Sequence, residues 1–218
     1  MKPIAHIYTD FPEKFGIPRQ SGLVPGLYGR IVFLPAYRCP EALRGVEGYS
    51  HIWLLWEFSE AKRAAWSPTV RPPRLGGNRR MGVFATRSPF RPNPIGLSCV
   101  RLHSIEGTEL VVEGADLMNG TPLYDIKPYL PYTDAHPEAT AGFAGDLLGD
   151  RLTVDFPAHL LSKLPQEKQE SAICLLRGDP RPSYQTDETR LYGMPYAGYD
   201  IRFVVKEGVL TVVAVEER

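Results

Sequence analysis

Apolar residues in the first 135 positions fall into short runs rich in Val, Ile, Leu and aromatics, each closed by Gly, Pro, Asn, Asp or Ser. Such runs fit a pleated, half-buried surface better than a helix, so they predict strands at Ile4–Thr9, Leu27–Leu34, His51–Phe58, Arg80–Ala85, Gly96–Ser104, Leu110–Gly114 and a short piece at Tyr124–Ile126. Glu106-Gly107-Thr108 reads as a hairpin turn. The run HIWLLWEF is apolar almost throughout, which predicts a strand buried on both faces with Trp53 and Trp56 in the core and His51 as a satisfied polar residue at its start. One brief helix is signalled by Cys39-Pro40-Glu41-Ala42-Leu43-Arg44, with proline at the first helical position and Gly45 after Arg44. Many short strands with little helix predict a barrel or closed sheet.

The pattern changes near Asp134, where DAHPEATAGFAGDLLGD is small, acidic and aperiodic. Beyond it, Leu152–Phe156 predicts a strand, and Pro157–Leu176 carries Leu160, Leu161, Leu164, Ile173 and Leu176 on a helix that Pro165 splits. A hairpin closes the chain, Ile201–Lys206 and Val209–Val215 around Glu207-Gly208. The expected architecture is mainly β with some α: a β-barrel over 1–135, a linker over 136–150 and a small α+β domain over 151–218.

Charge adds what the pattern lacks. Lys+Arg and Asp+Glu balance at 25 each, yet Arg71, Arg74, Arg79, Arg80, Arg87 and Arg91 follow one another with no acid between. Widened to 61–105, the segment adds Lys62, Arg63 and Arg101 and still holds no Asp or Glu. A neutral chain thus hides a polarised surface of the kind that gathers a polyanion, and fork-shaped guanidiniums suit phosphates. With 21 prolines, several in Pro68–Pro73 and Pro89–Pro94, these arginines sit on stiff loops, which points to a preformed basic surface rather than a disordered tail.

The remaining inventory narrows the classes. Cys39, Cys99 and Cys174 and the five histidines are scattered without ligand spacing, so no metal site is expected. Neither GxGxxG in a strand-to-helix context nor GxxxxGK[ST] occurs, so a nucleotide-like cofactor would bind outside a doubly wound fold. No signal peptide and no membrane span are read, and the expected location is cytoplasmic.

Four blocks, Lys14–Gln20 (KFGIPRQ), Thr69–Gly96 (TVRPPRLGGNRRMGVFATRSPFRPNPIG), Asn119–Leu130 (NGTPLYDIKPYL) and Gly178–Gln185 (GDPRPSYQ), resemble the TrmO family, also called TsaA-like. That resemblance implies an S-adenosylmethionine-dependent β-barrel methyltransferase acting as a homodimer, with the cofactor near the dimer interface. It implies a tRNA substrate, methylated on N6 of threonylcarbamoyladenosine at position 37, next to the anticodon. Carried over, Pro18, Arg19, Gln20, Ser59, Glu60, Arg87, Leu97, Asp116, Leu117, Asn119, Gly120 and Thr121 line the cofactor. Asn119 departs from the family's usual Asp, and Ser59-Glu60 stand where related members often have His.

Methyl transfer from a sulfonium is an in-line displacement that needs alignment more than acid catalysis. Acylation weakens the adenine nitrogen as a nucleophile but makes its N–H more acidic, so a carboxylate acceptor is sought among Asp125, Asp179 and Asp200. Asp125 reads either as that acceptor or as a turn residue paired with Lys127. Asp179, Arg181 and Tyr184 share one proline-stiffened loop and offer an acceptor, an anion clamp and a stacking face, the catalytic set expected here. Arg71, Arg74, Arg91, Asp125 and Tyr192 complete the substrate contacts; Tyr192 reads equally as packing, and either Arg181 or Arg91 supplies a fork for the threonyl carboxylate. Two other readings stand beside this one, a non-catalytic RNA-binding barrel and a methyltransferase for a different substrate.

Overall fold

The structure is a computed structural model that describes residues 1–61, 65–72, 75, 79–147, 152–182, 185 and 187–218, without the side chains of residues 146 and 147. In its first half lie β1 (Ala5–Thr9), β2 (Tyr28–Phe33), helix α1 (Pro40–Leu43) and β3 (His51–Glu57). A short ribbon of β4 (Thr69–Val70) and β5 (Met81–Gly82) follows, then β6 (Ile95–Glu106), β7 (Glu109–Glu113), β8 (Thr121–Pro128) and helix α2 (Pro131–Asp134). The longer strands close an antiparallel barrel in the order β1-β2-β7-β6-β3-β8.

Period-two alternation fills the barrel. Ile7, Ile31, Ile52, Leu54, Val100, Leu110, Val112 and Leu123 point inward and are at most 1% exposed, each stabilising the fold by about 1.5–3 kcal/mol relative to leaving it in water. Trp56 joins them and lies against Gly96, its partner across β3 and β6. A Cβ at Gly96 would stand 2.2 Å from Trp56 Cε2, so only glycine fits opposite that indole.

Two expectations need correction here. β3 is buried on alternate residues only, and Trp53 faces outward. It reads as core because its outer face is partly covered: Nε1 donates to Asp134 Oδ2 of α2 at 2.8 Å, and the ring lies 5.7 Å from Tyr129. The strand expected at Arg80–Ala85 shrinks to β5, followed by a 3-10 turn at Val83–Ala85. Val83 N–H bonds to Pro68 O, and the Thr86 hydroxyl closes the turn on Val83 O, which ends the ladder.

The second half contains β9 (Thr153–Asp155), α3 (Ala158–Leu161), α4 (Gln166–Arg177), β10 (Tyr192–Tyr196), β11 (Tyr199–Lys206) and β12 (Val209–Glu217). Pro165 stands directly before α4, where the sequence places the helix break. The sheet runs β10-β11-β12-β9, with β9 parallel to β12. β10 escapes the sequence reading because Gly193 and Pro195 interrupt it; an edge strand tolerates both.

Packing ignores the division at the linker. The second core gathers Leu164, Ala172, Leu176, Met194, Tyr196, Ile201, Phe203 and Leu210 together with Phe11, Val24 and Leu27 from between β1 and β2. Phe11 lies 5.5 Å from Tyr196, Lys168 pairs with Asp10 at 2.5 Å, and Ala197 N–H bonds to Asp10 O. Gly16, with φ +90°, lets the following loop cross Met194, whose Cγ would lie 2.6 Å from a Cβ there.

Candidate cofactor cradle and substrate loop

At the end of the barrel, three segments distant in sequence meet around one carboxylate. Ser98 on β6 points inward and is 1% exposed. Its hydroxyl accepts from Trp56 Nε1 at 2.9 Å and donates to Asp116 Oδ1 at 2.6 Å. The Ser21 backbone N–H also donates to Asp116, and Arg87 stands near enough to attract it. Burial pushes the Asp116 carboxyl above the usual Asp range, with the Ser98 hydroxyl, backbone donors and the Arg87 charge pulling the other way. Arg87 in turn donates to Gln20 Oε1, and Gln20 Nε2 to Arg19 O. The cradle therefore offers a half-buried anion, an exposed guanidinium and an amide within one hydrogen-bonded chain.

Neighbouring candidates fall into place around it. Lys14 and Glu60 pair at 3.1 Å, which ties the Pro18-Arg19-Gln20 loop to the Ser59-Glu60 turn after β3. Leu117 is wholly buried in the barrel, so it can present only backbone. Asn119, Gly120 and Thr121 are pinned to β1: Asn119 Oδ1 accepts from Thr9 N–H at 3.1 Å, Gly120 N–H donates to Ile7 O, and Thr121 pairs with Ile7 in the ladder. The bond that Asn119 accepts is one an Asp would also accept, so in this role the departure from the family pattern is conservative.

Leu97 lies elsewhere. It faces outward from β6 and is 56% exposed. Across the outer sheet it aligns with Leu55 of β3, and Leu55 with Asp125 of β8. Asp125 pairs with Lys127 at 3.0 Å, and its Oδ1 accepts from Ile126 N–H. Beside it, the Tyr124 phenol is pushed up to about 12 by burial and by its hydrogen bond to Glu57.

The Gly178–Gln185 loop is stapled by its own charges. Arg181 grips Asp179 bidentately, Nε to Oδ1 at 2.9 Å and Nη2 to Oδ2 at 3.0 Å, while Asp179 takes φ 52°. The Arg181 guanidinium, its pKa raised by that carboxylate, lies 6.0 Å from the Tyr192 ring centroid. Tyr192 is only 6% exposed and stacks on Phe203 at 5.4 Å, with Arg190 over its ring and its hydroxyl on Gln185. Asp200 pairs with Arg202 at 3.0 Å. Arg91 uses Nη1 on the carbonyls of Val83 and Thr86. Arg71 is exposed at the end of β4. The expectations for Arg74 and Tyr184 lie outside the described residues. Sequence reasoning missed Ser98 and the Trp56 indole N–H; a lone Ser at an inward position of an apolar strand was the signal.

Among the described residues, no group of His, Cys, Asp and Glu is placed to hold a metal, and no helix is long and apolar enough to cross a membrane.

Residues 6–135 match the family model described as tRNA-methyltransferase O N-terminal domain, and residues 149–218 the TrmO C-terminal domain model. An Escherichia coli protein named tRNA (adenine(37)-N6)-methyltransferase is 40% identical over 99% of this chain and 97% of its own length. A Pseudomonas aeruginosa protein, RcsF, named provisionally an S-adenosylmethionine-dependent methyltransferase, is 43% identical over 93% of this chain and 91% of its own. The crystal structure of TrmO from P. aeruginosa superposes with a TM-score of 0.81 at 36% identity, covering 99% of this chain and 95% of that one.

Proposed function

Because the chain belongs to the tRNA-methyltransferase O family, we propose that it transfers a methyl group from S-adenosylmethionine to N6 of adenosine 37 of tRNA, on a base already carrying threonylcarbamoyl. The observation that carries the reading is the Gln20, Arg87 and Asp116 cradle, built on a barrel with no Rossmann sheet and set beside a basic, acid-free segment.

The cradle suits the donor's chemistry. S-adenosylmethionine carries a carboxylate, an ammonium, a sulfonium and ribose hydroxyls. Arg87 is matched to the carboxylate, while Asp116 and Gln20 supply acceptors for ammonium or hydroxyl. When bound, the group supplies an electrophilic methyl on a positively charged sulfur. Pro18 and Arg19 carry Gln20 on a loop fixed by Gly16 against Met194, so the acceptors are positioned before the donor arrives. Ser59, Glu60, Leu117, Asn119, Gly120 and Thr121 serve as the walls and backbone supports around it.

On the substrate side, both carboxylate oxygens of Asp179 are occupied by the Arg181 guanidinium. An incoming threonyl carboxylate competes for the same guanidinium, and winning it frees Asp179 to take the proton from the acylated N6. Substrate binding and base activation are thus one exchange of partners on one loop. Tyr184 is assigned the stacking face that its sequence position suggests, and Arg71 and Arg74 the phosphates.

The homodimer reading is supported by the outer face of β8, β3 and β6, where Ile95 is 36% and Leu97 56% exposed beside half-buried Leu55 and Trp53. A second subunit on that face would cover Leu97 and its neighbour Leu55. The expected cytoplasmic location is supported by the tRNA substrate named for the relatives.

The test uses purified protein, S-adenosylmethionine and tRNA with or without threonylcarbamoyladenosine, digested to nucleosides and weighed by mass spectrometry. A gain of one methyl confined to the modified adenosine is expected. Gain on neither tRNA, with donor binding intact, would reject the substrate and keep the cradle. Donor binding lost in Asp179→Ala or Arg181→Ala would reject the division of labour between cradle and loop.

A further inference from the structure

Two aromatic rings beside the basic segment take no part in the reaction described above. Trp66 is 51% exposed and Phe84 72%. Their ring centroids lie 6.1 Å apart and are inclined by 34°, so they present one apolar surface. The Arg91 guanidinium lies 5.8 Å from the Phe84 centroid. Isolated exposed rings are ordinary on a protein surface; here two are contiguous, with a guanidinium alongside.

The backbone beneath the rings is fixed. Ser67 Oγ donates to Thr69 O at 2.8 Å, Val83 N–H bonds to Pro68 O, and Arg91 Nη1 donates to Val83 O and Thr86 O. Trp66 and Phe84 thus stand at one end of the β4–β5 ribbon, where Thr69 pairs with Gly82. At the other end Val70 pairs with Met81, and the exposed Arg71, Arg79 and Arg80 leave from there. A ribbon this short separates its ends by about 7–10 Å.

Stiff rings in water, with Arg91 alongside, further arginines at the ribbon's other end and no acid anywhere from 61 to 105, match a polyanion that shows π-faces. Unpaired RNA does so; a duplex hides its bases. We propose that Trp66 and Phe84 form a stacking platform for unpaired nucleobases of the tRNA loop, while Arg71, Arg79 and Arg80 meet the adjoining phosphates. The inference rests on the tRNA reading and adds to it the surface that receives the bases flanking the target.

The test compares binding of a hairpin RNA with the anticodon-arm sequence against a blunt duplex of the same composition. Variants are Trp66→Ala with Phe84→Ala, Trp66→Leu with Phe84→Leu, and Trp66→Phe. Loss of about 10–100-fold in hairpin affinity is expected for both double variants, with duplex and S-adenosylmethionine affinity unchanged, while Trp66→Phe stays near wild type. Hairpin RNA should quench a tryptophan signal that Trp66→Phe lacks. Wild-type affinity in the Ala pair overturns the platform. So does wild-type affinity in the Leu pair, because bare apolar contact would then suffice, and so does a fall in sedimentation mass without RNA, which would make the rings a contact between subunits. Wild-type protein that methylates tRNA while every variant binds hairpin normally rejects the platform and leaves the function standing. Wild-type protein that neither binds nor methylates tRNA rejects both.

Discussion

Asp116 shows how a single residue trades stability for a site. Its raised pKa means that the folded protein holds this proton more tightly than the unfolded chain does. The contribution to stability is full below the ordinary Asp range and is lost as pH rises through the raised value. Asp116→Asn removes the charge while keeping an acceptor for Ser98. Denaturation midpoints from about pH 4 to about pH 7.5 should therefore fall less with pH in the variant than in wild type, with no loss of stability at the upper end. Donor affinity should drop about 10–100-fold, the worth of a charge-assisted hydrogen bond. A variant that keeps full donor affinity would remove Asp116 from the cradle. Ser98→Ala acts with the opposite sign on stability. It leaves the buried Trp56 Nε1 and the Asp116 carboxylate each without their Ser98 partner, which should cost about 1–3 kcal/mol by urea titration.

At the level of elements, the strands were legible because one face of the barrel is dry and the other wet, and period two survives in β1, β2 and β7. Legibility failed where that contrast fails. β3 hides its alternation because α2 and Tyr129 cover part of its outer face, and β10 carries Gly and Pro that an edge tolerates. Among the candidate site residues, Gln20, Arg87 and Asp116 were found by resemblance and are joined by hydrogen bonds or charge. Their link through Ser98 to Trp56 could not be read, because residues 42 positions apart become neighbours only through the β3–β6 register. That register also makes Gly96 a sharp test. Gly96→Ala puts a methyl into the Trp56 indole, so the indole must move and its hydrogen bond to Ser98 must break. A loss of about 3 kcal/mol or more is expected, at the upper end for overpacking, together with weaker donor binding. A variant as stable as wild type would show that the indole has room that the register denies it.

The whole molecule has two cores, and the segment between β1 and β2 of the barrel belongs to the second. Since Phe11, Val24 and Leu27 sit in the second core, a 1–135 fragment would expose them. It should aggregate or melt well below the full chain, and its inactivity alone would say nothing about the substrate. Charge is the other property held only by the whole. The basic segment leaves an equal excess of acid on the rest of the sequence, which suits a body that repels RNA everywhere except at one surface. Each phosphate neutralised on a single-stranded loop contributes about −0.7 to the slope of log affinity against log salt. Replacing Arg71, Arg79 and Arg80 by Gln should thus flatten the slope for tRNA binding by about 2 and weaken binding most at low salt. Donor affinity should not change, because none of the three belongs to the cradle. Arg87→Gln should do the reverse, since its guanidinium faces Gln20 and Asp116: it would weaken donor binding while moving the salt slope for tRNA little. If the triple variant kept the full slope, phosphate contacts would have to be sought on the C-terminal loop around Arg181 and Arg190, and the acid-free segment would lose its role as the landing surface.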